Sequence, residues 1–330
     1  MRSQGLIGAL AGLTGALLYL AGSGAAPLAP LLMGLGPLPF FMAVLGWGNL
    51  AGLVAAAVAL LSVYLFVAYS SGGESLFALT SMLAFAMTAI APALWLSHLA
   101  LLRRHVTAGD PGSPVEWYPL GRLLLWLAGI CCAGYLALEL LSYAFIGAGR
   151  PAAIARTLDL HFSPELRQAL LERIHAPNWP ALLSLLSHVL PGTGGVFWQI
   201  WLASNGIGAF SLLAATGRCP RPEAGWRSLS LPRLYTAPFA AAFVVSFIGG
   251  ELGWIGATLA SMLFVPYFFL GLSVVHAIPL QGPGRYALLG LFYFLLLLLA
   301  WPAIPVGILG IWEQWSGFRR RFSRSGREDK

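Results

Sequence analysis

Long apolar stretches separated by short polar knots make up most of this chain. Nine runs stand out, near 5–22, 28–46, 48–69, 76–101, 120–147, 193–215, 234–250, 253–277 and 286–312. Most approach the roughly 20 residues an α-helix needs to cross about 30 Å of hydrocarbon. The bilayer core holds no water, so each span must satisfy its own backbone polar groups, and a helix does so. The pattern predicts an all-α fold, a polytopic transmembrane bundle of about eight crossing helices and nine at most.

The largest polar interruption lies at 148–180. Within it, SPELRQALLERIHA places Leu166, Leu170, Leu171 and Ile174 on one helical face, with Arg167, Glu172 and Arg173 largely away from it. Ser163 suits an N-cap and Pro164 the first helical position. A short interfacial or lid helix is expected there. The tract PGTGG at 191–195 has the glycines of a phosphate loop but not its Lys-Ser/Thr, and predicts a helix break near the membrane edge. A corner around Gly46, Gly48 and Gly52 joins the second and third runs, because glycine permits sharp turns and close backbone approach.

Charge adds an orientation. Only 9% of the 330 residues are Asp, Glu, Lys or Arg, against 58% hydrophobic, which is too little to cover a soluble domain. The net charge is +7, yet the basic residues flank apolar runs instead of forming one basic face. That excludes nucleic-acid binding and makes the lipid bilayer the expected partner. Arg103 and Arg104, the group Arg218, Arg221, Arg227 and Arg233, and the tail Arg319, Arg320, Arg321, Arg324 and Arg327 mark cytoplasmic segments by the positive-inside rule. Glu74 and Glu251 fall on the opposite side. Three crossings after the 216–233 loop would put the basic tail outside, so one run should not cross. The last is the candidate, because Pro302 and Pro305 interrupt it and an interior proline costs about 3 kcal/mol. The first run mimics a signal peptide, but further apolar runs follow at once, so an uncleaved span is expected.

The expected organisation is one integral membrane domain: a core at 1–215 with the outside loop 148–180, a basic loop 216–233, additional helices at 234–312 and a basic tail at 313–330. Cys131, Cys132 and Cys219 have neither metal-site nor disulfide spacing. No nucleotide, metalloprotease or serine-hydrolase motif occurs, so no catalytic residue, metal or cofactor is expected.

Ionisable groups within apolar runs carry weight, because charging one in mid-bilayer costs several kcal/mol. Glu139 is the clearest. Tyr135, Ser142 and Tyr143 share its helical face and would line a polar cavity with it. A neutral Glu139 bonded to a neighbouring helix is the alternative. Gln199 and Asn205 divide in the same way between cavity lining and helix glue. Glu251 reads as a solvated turn acid, and His98, His188 and His276 as structural hydrogen-bonders. Gly8, Gly12 and Ala16 form a small-residue stripe suited to close helix contact, within this protein or with a partner.

VEWYPLGRLLLW (115–126), GWRSLSLPR (225–233), GLSVVHA (271–277) and GIWEQWSGFRRRF (310–322) resemble the YybS-like family of bacterial polytopic membrane proteins. The proline, apolar run and Gly-rich corner at 37–61 are similar to an element of the substrate-binding S components of energy-coupling-factor transporters. The arginine tail puts the expected C-terminus in the cytoplasm, and the resemblance implies a bacterial inner-membrane protein with an S-component-like six-helix core plus extra C-terminal helices. It implies no catalytic residues, and the family's alphaproteobacterial branch commonly has Asp where Glu313 stands. The function it implies is a transport-associated subunit that binds a small molecule. Gly8, Gly12 and Ala16 would then dock a transmembrane coupling subunit. A membrane scaffold or assembly protein, and a membrane-embedded enzyme acting on lipid, are the alternatives.

Overall fold

The structure is a computed structural model that describes residues 2–22, 27–106, 114–146, 149–222, 229–278 and 284–319. The first part of GWRSLSLPR and the tail from Arg320 onward lie outside the described residues. The fold is an all-α, polytopic bundle. Among the described residues, seven helical segments are long and apolar enough to cross a membrane. The chain divides into two compact units. Unit 1 is Met1–Leu127 with Ile200–Ser228, and unit 2 is Ala128–Gln199 with Leu229–Lys330.

In unit 1, α1 (Arg2–Ala21) packs on α4 (Asn49–Ser70). A β-carbon at Gly8 would sit 2.5 Å from the Ala51 carbonyl oxygen, and one at Gly12 would abut that of Ala55. Two backbones this close admit nothing larger than glycine. Gly8, Gly12 and the 2%-exposed Ala16 are therefore buried inside the chain, and α4 covers the stripe of Gly8 and Gly12. A coupling partner would have to displace α4 to reach it. The predicted corner is present: α3 (Leu38–Trp47) follows α2 (Ala29–Gly34) and turns into α4 through Gly48 at φ 89°, a left-handed conformation that suits glycine.

Helix α5 (Ser75–Phe85) continues through a π-helical turn at Ala86–Ile90 into α6 (Ala91–Leu101). Pro92 has no N–H for the carbonyl four residues back, and the wider turn absorbs that loss inside one span. Beyond α6, β1 (Arg103–His105) pairs antiparallel with β2 (Val115–Trp117), setting Arg103 opposite Trp117 and Arg104 opposite Glu116. The apolar pattern did not anticipate this hairpin, because its strands are too short and polar to alternate.

Helices α7 (Leu120–Ile146) and α10 (Trp179–Ala215) contribute to both units. In unit 2, the polar interruption holds two helices where one was expected, α8 (Arg150–His161) and α9 (Pro164–Ile174). Ser163 caps α9 as foreseen, its hydroxyl accepting from the Leu166 N–H at 3.4 Å. Arg167, expected to face away, joins α8, α9 and α10. It pairs with Asp159 at 3.0 Å and lies 5.1 Å from the Trp179 ring centroid, and the Trp179 indole donates to Asp159 at 2.8 Å. Arg167→Ala is expected to cost no more than about 1 kcal/mol, since both partners are part-exposed. It should nonetheless speed proteolysis between α8 and α10, which limited digestion measures.

The helix break expected at PGTGG does not occur. Pro191 lies inside α10, and Gly192 and Gly195 turn toward α12 (Gly250–Ala277). A β-carbon at Gly192 would meet Ser261 Oγ at 3.1 Å, and one at Gly195 would overlap Met262. The tract is a packing groove, tolerated because neighbouring helices cover it.

Helix α11 (Thr236–Val245) runs antiparallel to α12, with the Tyr235 hydroxyl donating to the Leu263 carbonyl at 2.7 Å and Gly256 against Ser246 N. Helices α13 (Gly284–Leu299) and α14 (Ala303–Ser316) are bent by 117° to each other at Pro302. Arg285 and Tyr293 of α13 both reach His276, near the C-terminal end of α12. Helix α14 then runs parallel to α12: Gly307 faces Phe264, Gly310 faces Tyr267, and Arg319 beyond it reaches Ser273. The chain thus leaves α12 and returns to the same end. Arg319 also donates to the Leu229 carbonyl, so the tail begins beside the loop that precedes α11.

Candidate functional site

Glu139 is 5% exposed on α7, and Tyr143 lies one turn further on at 42%. Gly149 follows α7, and Glu251 lies in the first turn of α12, exposed. The position a β-carbon would take at Gly149 is 2.9 Å from Glu251 Oε1, 3.0 Å from the Tyr143 hydroxyl and 3.2 Å from Glu139 Oε1. Three oxygens from two helices, α7 and α12, thus converge on one point. Glu139 forms the floor of this site, and Tyr143 and Glu251 its open rim. Gly149 has φ −60° and ψ 157°, which any residue adopts. It is the space at residue 149 that matters here, not its backbone conformation.

An apolar groove of about 450 Å³ runs beside this cluster between α7 and α8, lined by Leu138, Leu141, Phe145 and Ile154 with Ser142 and Thr157. Ser142 is itself 7% exposed. Leu138 and Ser142 flank Glu139 and Tyr143 in sequence on α7. Tyr135 is 5% exposed, one helical turn from Glu139.

The other candidates separate from this cluster. Gln199 on α10 is fully buried, and neither of its amide atoms has a hydrogen-bond partner among the described residues. It lies one turn beyond Gly195, the residue that packs on Met262. Asn205 belongs to unit 1, where its amide donates to the carbonyls of Gly34 and Trp201 at 2.9 and 2.8 Å. That is the role of helix glue. His98 meets Asn49 at 2.9 Å, and His188 meets the Ser184 carbonyl at 2.6 Å and packs at a tilt against Trp254, ring centroids 4.6 Å apart. His276 lies between the Leu272 carbonyl and the Tyr293 hydroxyl. Each of these histidines ties helices together.

Sequence reasoning missed Gly149 and gave Glu251 the role of a solvated turn acid. More than one hundred residues separate Glu139 from Glu251, and no periodicity links them. The GAGRP stretch at 147–151 was the one local hint, a glycine-rich exit from a span that contains an acid. Comparison with protein-family models, curated proteins and solved structures returned no match, so any role for the site has to be argued from its residues.

Proposed function

We propose that this chain is a small-molecule-binding, transport-associated subunit of the bacterial inner membrane, YybS-like and built around an S-component-like core. The observation that carries this reading is the convergence of the Glu139, Tyr143 and Glu251 oxygens at Gly149, beside the α7–α8 groove. A buried carboxylate in an apolar span is costly, and function is its usual reason. An open rim, a buried polar floor and an adjoining apolar wall suit an amphipathic ligand. Helices α8 and α9 adjoin the site in sequence, and exposed Leu160, Leu166 and Ile174 suit them to lie on the membrane surface near its mouth. The positive-inside rule puts the Arg103–Arg104 hairpin, the 216–233 loop and the C-terminus in the cytoplasm and this mouth outside. No nucleotide-binding motif is present in the sequence, so energy would come from a transmembrane partner.

Thermal-shift measurements on the full chain in neutral detergent test this, using water-soluble vitamins, their precursors and divalent metal ions as probes. One chemical class should raise the melting temperature. Glu139→Gln and Gly149→Ala should each weaken that ligand about tenfold or more, a loss of about 1.4 kcal/mol. If no probe stabilises the protein, and Glu139→Gln fully complements a deletion strain, the reading fails in favour of a scaffold.

A further inference from the structure

A second site lies in unit 1, at the mouth of the hairpin. The turn from β2 into α7 and the end of α6 enclose a cleft of about 430 Å³. Arg103, Arg104 and Arg122 line it, and Glu116 is the one acid among its described lining residues. Glu116 is already engaged, with its carboxylate 2.7 Å from Arg104 Nη2. Neither Arg103 nor Arg122 forms an ion pair among the described residues, so the lining holds two positive charges more than it balances. Arg103 lies 5.7 Å from the centroid of the Trp117 ring, within the range of a cation–π contact.

A fourth guanidinium lies behind this wall. Arg221 is 6% exposed and donates to the carbonyls of Ala100 and Tyr118, both at 3.0 Å. Tyr118 is itself a lining residue of the cleft. Arg221 pairs with no acid among the described residues, and its burial lowers its pKa from the usual arginine value. A buried cation with neutral carbonyls as its partners among the described residues is costly, and a nearby anion offsets that cost. Among the described residues, three arginines thus line the cleft with Tyr118, a fourth holds the Tyr118 carbonyl, and Glu116 is the one carboxylate with them.

We propose that this cleft is a phosphate-binding site, with Arg103 and Arg122 as the groups that grip the anion. Guanidinium groups match phosphate oxygens in pairs, and a partly enclosed cleft strengthens such charge-assisted bonds. Two sources present that chemistry, an anionic phospholipid headgroup and a soluble phosphate. The surroundings favour the lipid. Trp117 and Tyr118 line the cleft, and Trp126 donates to the Tyr118 hydroxyl at 3.0 Å and packs edge-on against Trp95, an aromatic cluster of the kind found at headgroup depth. The proposal is independent of the carboxylate site in unit 2.

The test uses the full chain in neutral detergent at fixed ionic strength. Melting temperature is measured against short-chain phosphatidylglycerol, short-chain phosphatidylcholine, and inorganic phosphate with chloride as its control. Phosphatidylglycerol should stabilise the wild type well above phosphatidylcholine. In Arg103→Ala/Arg122→Ala its apparent affinity should fall about tenfold or more, the loss expected for charge-assisted contacts. Both side chains are exposed, so the variant should fold, and Arg122→Gln alone provides a milder check. Arg218→Ala, which removes an equally exposed arginine stacked on Trp47, should leave the affinity unchanged. A matching response to inorganic phosphate would assign the cleft to phosphate itself, and a response to the lipid alone would assign it to the headgroup. The proposal is overturned if neither phosphate nor phosphatidylglycerol stabilises the protein, or if Arg218→Ala weakens binding as much as the double variant.

Discussion

Gly310→Val is expected to destabilise unit 2 by about 3 kcal/mol, the upper end of the usual cost of overpacking. The cost is high because the atoms in the way belong to the backbone. A β-carbon at Gly310 would collide with the Tyr267 carbonyl oxygen, and Gly271 of α12 meets the Val306 carbonyl in the same manner. Neither atom can rotate aside as a side chain would, so α14 would have to lift off α12. Denaturant unfolding in detergent measures the loss. The result also reports on topology. If α13 and α14 crossed the membrane as one continuous span, Gly310 would not face α12 and valine would cost no more than about 0.5 kcal/mol. A large loss supports the fold-back that returns the tail to the end of α12 where it left.

Arg319→Ala is expected to cost about 3–5 kcal/mol, because it strands a buried carboxylate. Glu313 is 5% exposed as a side chain and Arg319 13%, so solvent screens their pairing little. Arg319 Nε donates to Glu313 Oε1 at 2.8 Å, its backbone N–H donates to Oε2 at 3.1 Å, and Nη1 donates to the Ser273 hydroxyl at 3.0 Å. Glu313→Gln/Arg319→Ala should lose less than Arg319→Ala alone, since no uncompensated charge remains. Arg319→Lys should fall between, keeping the charge and losing the fork. A double-mutant cycle on unfolding free energies checks this ordering. If all the variants unfold like the wild type, the pair is an exposed surface contact and the tail is not anchored at Leu229.

These two residues show where local reading stops. Arg319 stands first in a run of tail arginines and was read with them as a topology marker. Its neighbours on α12 and in the loop at Leu229 are 46 and 90 residues away in sequence. Glu313 carried no assigned role. The proline pair at 302 and 305, by contrast, announced the interruption of the last run correctly, because a missing N–H is a property of the residue itself. The Ser163 cap and the Gly48 corner were legible for the same reason. PGTGG was misjudged because the same residues that break an isolated helix also let two packed helices approach.

In the candidate site, one half was visible and the other was not. Glu139 and Tyr143 share a face of α7, and helical periodicity alone puts them together. Nothing local brings Gly149 and Glu251 to the same point. Hydropathy, proline, glycine and capping residues act through the solvent and the backbone within a few residues, so they determined the helical class, most of the spans and several of their ends. Which polar groups meet depends on how the spans pack. That decided the carboxylate cluster, the place of Arg221 behind the arginine cleft and the burial of the Glu313–Arg319 pair against Ser273 and Leu229, because contacts between segments so distant in sequence leave no period in the chain that makes them.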